Sequence, residues 1–158
     1  MKNSKDYIFL ALWIFTFVGI GALIGFWSKT EVNLWYTTLH RSTLTPPNFV
    51  FPIAWTIFYT FIAISGWSIW RSLPSSKLLL IKCLYLAQLL LNWSWTPLFF
   101  NYNLIGYALI CLALTDVIVA VLIYVSYQKN RLVSLLMVPY LLWLLFATYL
   151  NFYIWVYN

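Results

Sequence analysis

Uncharged apolar runs alternate with short polar breaks along nearly the whole of this chain. Residues 7–27, 52–70, 83–100 and 132–157 hold no charged residue, and residues 104–127 hold one, Asp116. A helix of about 20 residues, rising about 1.5 Å per residue, crosses the roughly 30 Å hydrocarbon core of a bilayer. The pattern therefore predicts five membrane-spanning helices, at about 7–27, 52–70, 78–100, 104–127 and 132–157. The breaks near Pro74, between Asn101 and Asn103 and at Asn130 are short, which forces the helices they join to pack antiparallel. The first run has no small-residue cleavage site before the next polar segment and is expected to be a retained helix rather than a secretory signal. The expected fold is an all-α membrane protein, a single five-helix bundle over residues 1–158 with a long first loop as its lid.

Composition strengthens this reading. The chain is 64% hydrophobic and 8% charged, against about 25% charged in soluble domains, so it has too few polar groups to cover a water-facing surface. The net charge of +6 invites a nucleic-acid reading, but its placement argues otherwise. Lys2, Lys5, Arg71, Lys77, Lys82, Lys129 and Arg131 fall on one side of the five crossings, while only Lys29 and Arg41 fall on the other. By the positive-inside rule the N-terminus is expected in the cytoplasm and the C-terminus outside, as in a bacterial inner membrane; an organellar membrane is the alternative. Cys83 and Cys111 lie inside predicted helices with no metal-ligand neighbour, and are read as structural thiols, with no metal site expected.

Residues 28–51 form the one long connection. The segment is rich in apolar and aromatic side chains and is stiffened by Pro46-Pro47. A freely solvated linker would be polar, so the expectation is a lid folded over the bundle mouth with a ligand cavity beneath it, and an interfacial segment lying on the membrane is the alternative. His40, the only histidine, is read as a surface residue.

Polar residues inside the spans are the candidate chemistry. A carboxylate at the middle of a membrane helix costs about 2.5–3.5 kcal/mol on insertion scales, so Asp116 is expected to face the interior with a partner or to be protonated. Gln88, Asn92, Thr96 and Asn151 are the candidates. A structural hydrogen-bond node is the preferred reading of Asp116, and proton-coupled transport the alternative. Asn92 and Trp95 share a helix face, being three apart. Trp143, Ala147 and Asn151 follow at intervals of four and make a stripe of a large ring, a small gap and a polar end. Such a slot suits a flat ligand or simply a close helix contact, and Gly21 with Gly25 suits close helix packing in the same way.

Ordered motifs then resemble one family along the chain. Trp35-Tyr36, Thr45-Pro46-Pro47, Val50-Phe51 and the run from Trp55 to Tyr59 resemble the TspO/translocator protein family, also called the peripheral benzodiazepine receptor family. Asn92 with Trp95-Thr96-Pro97 and Phe99-Phe100, Asp116, and Pro139-Tyr140 with Trp143, Ala147 and Leu150-Asn151 resemble its later helices. The resemblance implies a five-helix bundle, usually a homodimer, that binds porphyrins such as protoporphyrin IX and haem, and isoquinoline or benzodiazepine ligands, with no cofactor required. It implies a ligand site of Tyr36, Pro46, Phe51, Trp55, Asn92, Trp95, Trp143, Ala147 and Asn151. In it Trp55 and Asn92 would be polar anchors, and Trp143 would be tied to light-dependent porphyrin breakdown. One departure stands out: Arg41-Ser42 and Leu44 take the places where the family commonly has Lys-Pro and a Trp. A basic residue late in the last helix, linked to sterol binding in animal members, is absent. The functions to weigh are a tetrapyrrole-binding receptor or sensor, a photo-oxidative porphyrin-degrading enzyme, and a porphyrin transporter.

Overall fold

The computed structural model describes residues 4–158. It contains helices α1 (Ser4–Trp27), α2 (Lys29–Asn33), α3 (Val50–Trp70), α4 (Leu78–Thr96), α5 (Ile105–Ser126) and α6 (Arg131–Tyr157). A 3-10 turn, Tyr36–Thr38, follows α2, and a π-helical turn, Pro97–Asn101, continues α4. Among the described residues five helices are long and apolar enough to cross a membrane, and none of these residues is in a β-strand. The bounds of α1, α3, α5 and α6 agree with the uncharged runs to within a turn, because exclusion of charge and helix length answer to the same hydrocarbon thickness; α4 begins five residues before its run, at Leu78, and takes in Lys82.

The helices pack as a bundle in which α5 contacts both α4 and α6, and α3 contacts α6 and α1. Ile62, Leu112, Val119, Met137 and Leu144 are fully buried at the centre. In lipid the tails are as apolar as these side chains, so close packing and hydrogen bonds hold the helices together rather than removal from water. Two tyrosine–glycine fits show the closeness. A Cβ at Gly66 would run into the Tyr85 hydroxyl, and one at Gly21 would run into the Tyr59 ring. Tyr85 donates its hydroxyl to the Ile62 carbonyl of α3 at 2.9 Å. Helix α1 buries least of its surface; its Trp13 Nε1 donates to the Ala63 carbonyl at 2.9 Å, fastening it to α3.

Polar pairs gather the helix ends. Arg71 and Asp6 form an ion pair at 3.1 Å, and Asn130 Nδ2 donates to Ser68 Oγ at 2.7 Å and to Ser72 Oγ at 3.1 Å. The start of α1, the α3–α4 junction and the α5–α6 junction therefore share one end of the bundle. The opposite end carries residues 28–49, which are more structured than an open loop. Ser28 is buried and donates its hydroxyl to Asn101 Oδ1 at 2.6 Å. Tyr36 is buried with its ring edge-on to Phe99 and Phe100. Further on, Ser42 Oγ and Tyr149 Oη lie 3.0 Å apart. The His40 amide donates to Asn158 Oδ1 at 2.9 Å, and Asn158 Nδ2 returns a bond to the His40 carbonyl at 3.2 Å. The segment is thus tied to the π turn at one side and to the last turns of α6 at the other, with the His40 side chain exposed.

Candidate ligand-binding cavity

At the end that carries residues 28–49, the helices part around a mainly apolar cavity of about 600 Å³. Its walls come from α1, α3, the end of α4 with the π turn, α6 and the segment from Ser28 to Phe49. The local cause is Pro97. It lacks an amide hydrogen, so the α-helical ladder fails there. The chain instead winds a wider turn, closed by Tyr102 N donating to the Pro97 carbonyl at 3.0 Å and Leu104 N donating to the Leu98 carbonyl at 2.9 Å. Asn103 completes the reversal at φ 55°, a left-handed conformation that Asn tolerates better than most side chains. The π turn sets Phe99 and Phe100 in the cavity wall beside Trp95.

Aromatic rings line much of the space. Trp95 stacks on Phe99 with centroids 5.5 Å apart and planes at 25°. Trp55 lies 6.4 Å from Trp95 and 5.6 Å from Tyr59. Trp95 is fixed in rotation because its Nε1 donates to Asn151 Oδ1 at 3.1 Å, while Asn151 Nδ2 donates to the Ile105 carbonyl at 3.0 Å. Behind the wall a buried polar chain runs inward. Tyr59 Oη donates to Asn92 Oδ1 at 2.8 Å, Asn92 Nδ2 donates to Tyr140 Oη at 2.9 Å, and Tyr140 Oη donates to Gln88 Oε1 at 3.2 Å.

Of the nine ligand-site residues expected from the sequence, Tyr36, Phe51, Trp55, Trp95, Ala147 and Asn151 line this cavity. Pro46 lines a separate, more polar cavity of about 480 Å³ formed by residues Leu39 to Asn48. Asn92 stands behind Tyr59 with both amide atoms bonded within the protein. Trp143 also lies outside the cavity lining, stacked on Phe58 at 5.7 Å and edge-on to Phe51 at 6.1 Å. Its Nε1 is buried and has no acceptor among the described residues. Asp116 is buried away from the cavity, and its partner is Thr148, whose hydroxyl donates to Oδ2 at 2.8 Å, rather than any of the four residues named above. The antiparallel register of α5 and α6 decides this, pinned by Ser134 Oγ on the Ile123 carbonyl and Asn151 on the Ile105 carbonyl.

The sequence reading left Phe99, Phe100 and Tyr59 out of the site, although it quoted all three in motifs. It read Gly21 and Gly25 as packing positions, whereas both also face the cavity, as do Ala22 and Lys29. Burial pushes the Tyr36 phenol above its ordinary range, an effect that Arg41, with its guanidinium carbon 5.0 Å from the ring centroid, partly offsets. Tyr36 is therefore a neutral wall. Among the described residues no three His, Cys, Asp or Glu side chains gather as a metal site.

A five-helix membrane bundle with an aromatic cavity at one end is the class of protein this geometry defines. The TspO/MBR family model matches residues 11–156, and the chain belongs to that family. It is 36% identical over 123 residues to the translocator protein of Sus scrofa, covering 77% of this chain and 73% of that one. It is 33% identical over 148 residues to the tryptophan-rich protein TspO of Archaeoglobus fulgidus, covering 92% and 94% of the two chains. Against the tryptophan-rich sensory protein of Cereibacter sphaeroides it is 34% identical over 118 residues, covering 75% and 73%.

Proposed function

We propose that this integral membrane protein is a receptor or sensor whose cavity binds tetrapyrroles such as protoporphyrin IX and haem, with residues 28–49 as the lid. It would take flat aromatic ligands of the isoquinoline and benzodiazepine kind in the same space. The observation that carries the reading is the cavity itself: about 600 Å³, apolar, with Trp55, Trp95, Phe99 and Phe100 in its walls. Small-molecule sites commonly occupy about 300–1,000 Å³ with aromatic linings and few polar groups. Aromatic pairs add about 0.5–1.5 kcal/mol each beyond area burial, so a flat conjugated ligand is favoured over a saturated one of the same size.

Binding is better supported than chemistry or transport. Trp143, the residue a photo-oxidative enzyme would use, is not in the cavity lining and meets it through its edge contact with Phe51. Asp116, the residue a proton-driven carrier would use, is bonded to Thr148 off the cavity. Titration of the protein in nanodiscs with protoporphyrin IX, following tryptophan fluorescence in darkness, tests the proposal. Saturable quenching that weakens in Trp95→Ala is the expected result. Quenching equal to that of empty nanodiscs mixed with free tryptophan would dispose of it. Illumination of the bound sample separates the enzyme reading, which requires loss of the porphyrin bands and a slower loss in Trp143→Phe.

A further inference from the structure

The tetrapyrrole reading concerns the apolar cavity, but the smaller cavity beside it has a different chemistry. It is formed by one stretch, Leu39 to Asn48, and contains Arg41, His40, Ser42 and Thr45, with no acidic residue among the described lining residues. Asn48 lines both cavities. Arg41 lines the smaller one, and its guanidinium carbon sits 5.0 Å from the centroid of the Tyr36 ring, which walls the larger.

This stretch is held in shape independently of any ligand. The Ser42 hydroxyl is shared between Tyr149 at 3.0 Å and the Leu44 amide at 3.2 Å, and the Thr45 amide donates to the Ser42 carbonyl at 3.0 Å. The paired His40–Asn158 bonds fix the residue before Arg41. A guanidinium on a fixed backbone beside an aromatic ring has five donors in a planar fork, more than its contact with Tyr36 uses. The chain has three acidic residues in all. Asp6 pairs with Arg71 at the far end and Asp116 is buried against Thr148, which leaves Glu31 to set against Lys29 and Arg41 at this end. By sequence this end carries two basic residues against one acidic one.

We propose that the two cavities are one bipartite site, and that Arg41 binds a carboxylate carried on the edge of the flat apolar ligand. The ring system lies against the Trp55 and Trp95 wall, and its acid side chain passes Asn48 to reach Arg41. The preferred ligand class is thus an aromatic macrocycle bearing free carboxylates, rather than a neutral lipid or sterol. Lys29, in the wall of the larger cavity, is the second cation available to a diacid. This inference rests on the tetrapyrrole reading and adds the selection of the anionic end.

The test compares protoporphyrin IX with its dimethyl ester, which keeps the ring and removes both charges. Each is titrated into the wild type, Arg41→Gln and, as a control at the far end of the bundle, Lys77→Gln, all in nanodiscs of zwitterionic lipid. A charge-assisted bond is worth enough to shift affinity by about ten-fold or more. We expect Arg41→Gln to weaken the diacid by at least that factor while leaving the ester and the Lys77→Gln variant at wild-type values. Equal affinities of wild type and Arg41→Gln for the diacid would overturn the inference. So would parallel weakening of diacid and ester, because Arg41 would then be supporting Tyr36 and the lid rather than reading charge. Failure of the wild type to bind either compound would overturn the tetrapyrrole reading itself, and this inference with it.

Discussion

Tyr59 shows how much one side chain joins. Its ring faces the cavity and fills the space that Gly21 leaves, while its hydroxyl opens the buried chain through Asn92 to Tyr140. Removing the hydroxyl in Tyr59→Phe strands Asn92 Oδ1 among apolar groups. Such a loss costs about 1–3 kcal/mol in soluble cores, but inter-helix bonds within membranes average nearer 0.6 kcal/mol. A loss of about 0.5–2 kcal/mol is therefore expected, read as a lower Tm in detergent. An unchanged Tm would mean the chain is not holding the helices. Asn103 offers a second test. Asn103→Gly should keep or slightly raise Tm, whereas Asn103→Val should cost about 1–2 kcal/mol, because a branched side chain resists positive φ.

Between the helices, two glycines one turn apart should behave oppositely. A methyl at Gly25 meets nothing within 4 Å, while one at Gly21 meets the Tyr59 ring. Gly25→Ala should therefore be silent or slightly stabilising through helix propensity. Gly21→Ala should lower Tm and loosen the Tyr59–Asn92 bond, visible as faster hydrogen exchange of α3 and α4 amides. The same comparison shows what the sequence made legible. The spans were plain because a charge-free run has few alternatives, but facing was harder. An α-helix turns about 100° per residue, so positions four apart drift by about 40°. From Trp143 to Asn151 that drift reaches about 80°, enough to bring Ala147 and Asn151 to the cavity and leave Trp143 behind Phe51. Asn92, about 60° from Trp95, is carried into the core in the same way. Phe99 and Phe100 were hidden for another reason: the π turn after Pro97 breaks the periodicity on which facing is judged.

For the molecule as a whole, the distribution of charge gives an orientation to test. The helix ends gathered by Asp6–Arg71 and by Asn130 carry most of the basic residues. Reporter fusions in a bacterial host should find the C-terminus outside the cytoplasm, and changing Lys77, Lys82, Lys129 and Arg131 to Gln should scramble that result. A fixed topology after these four changes would mean that the turns alone set it. Ligand should also act on the bundle as a whole. Saturating protoporphyrin IX at about 100 times its Kd stabilises the folded state by about 2.7 kcal/mol, so Tm should climb with concentration.

Helix α1 gives the cavity one of its walls, yet it buries least of its surface against the rest of the bundle. Most of what touches that helix is therefore lipid, and the seam between α1 and α3 is a joint that the bilayer helps to press together. Occupancy of the cavity and lateral pressure on α1 act on the same joint, so thermodynamic reciprocity makes each a regulator of the other. On the proposed function, a membrane whose thickness tilts α1 should alter affinity, and a bound ligand should stiffen the helix against that tilt. A site built this way would answer to its solvent as well as to its ligand.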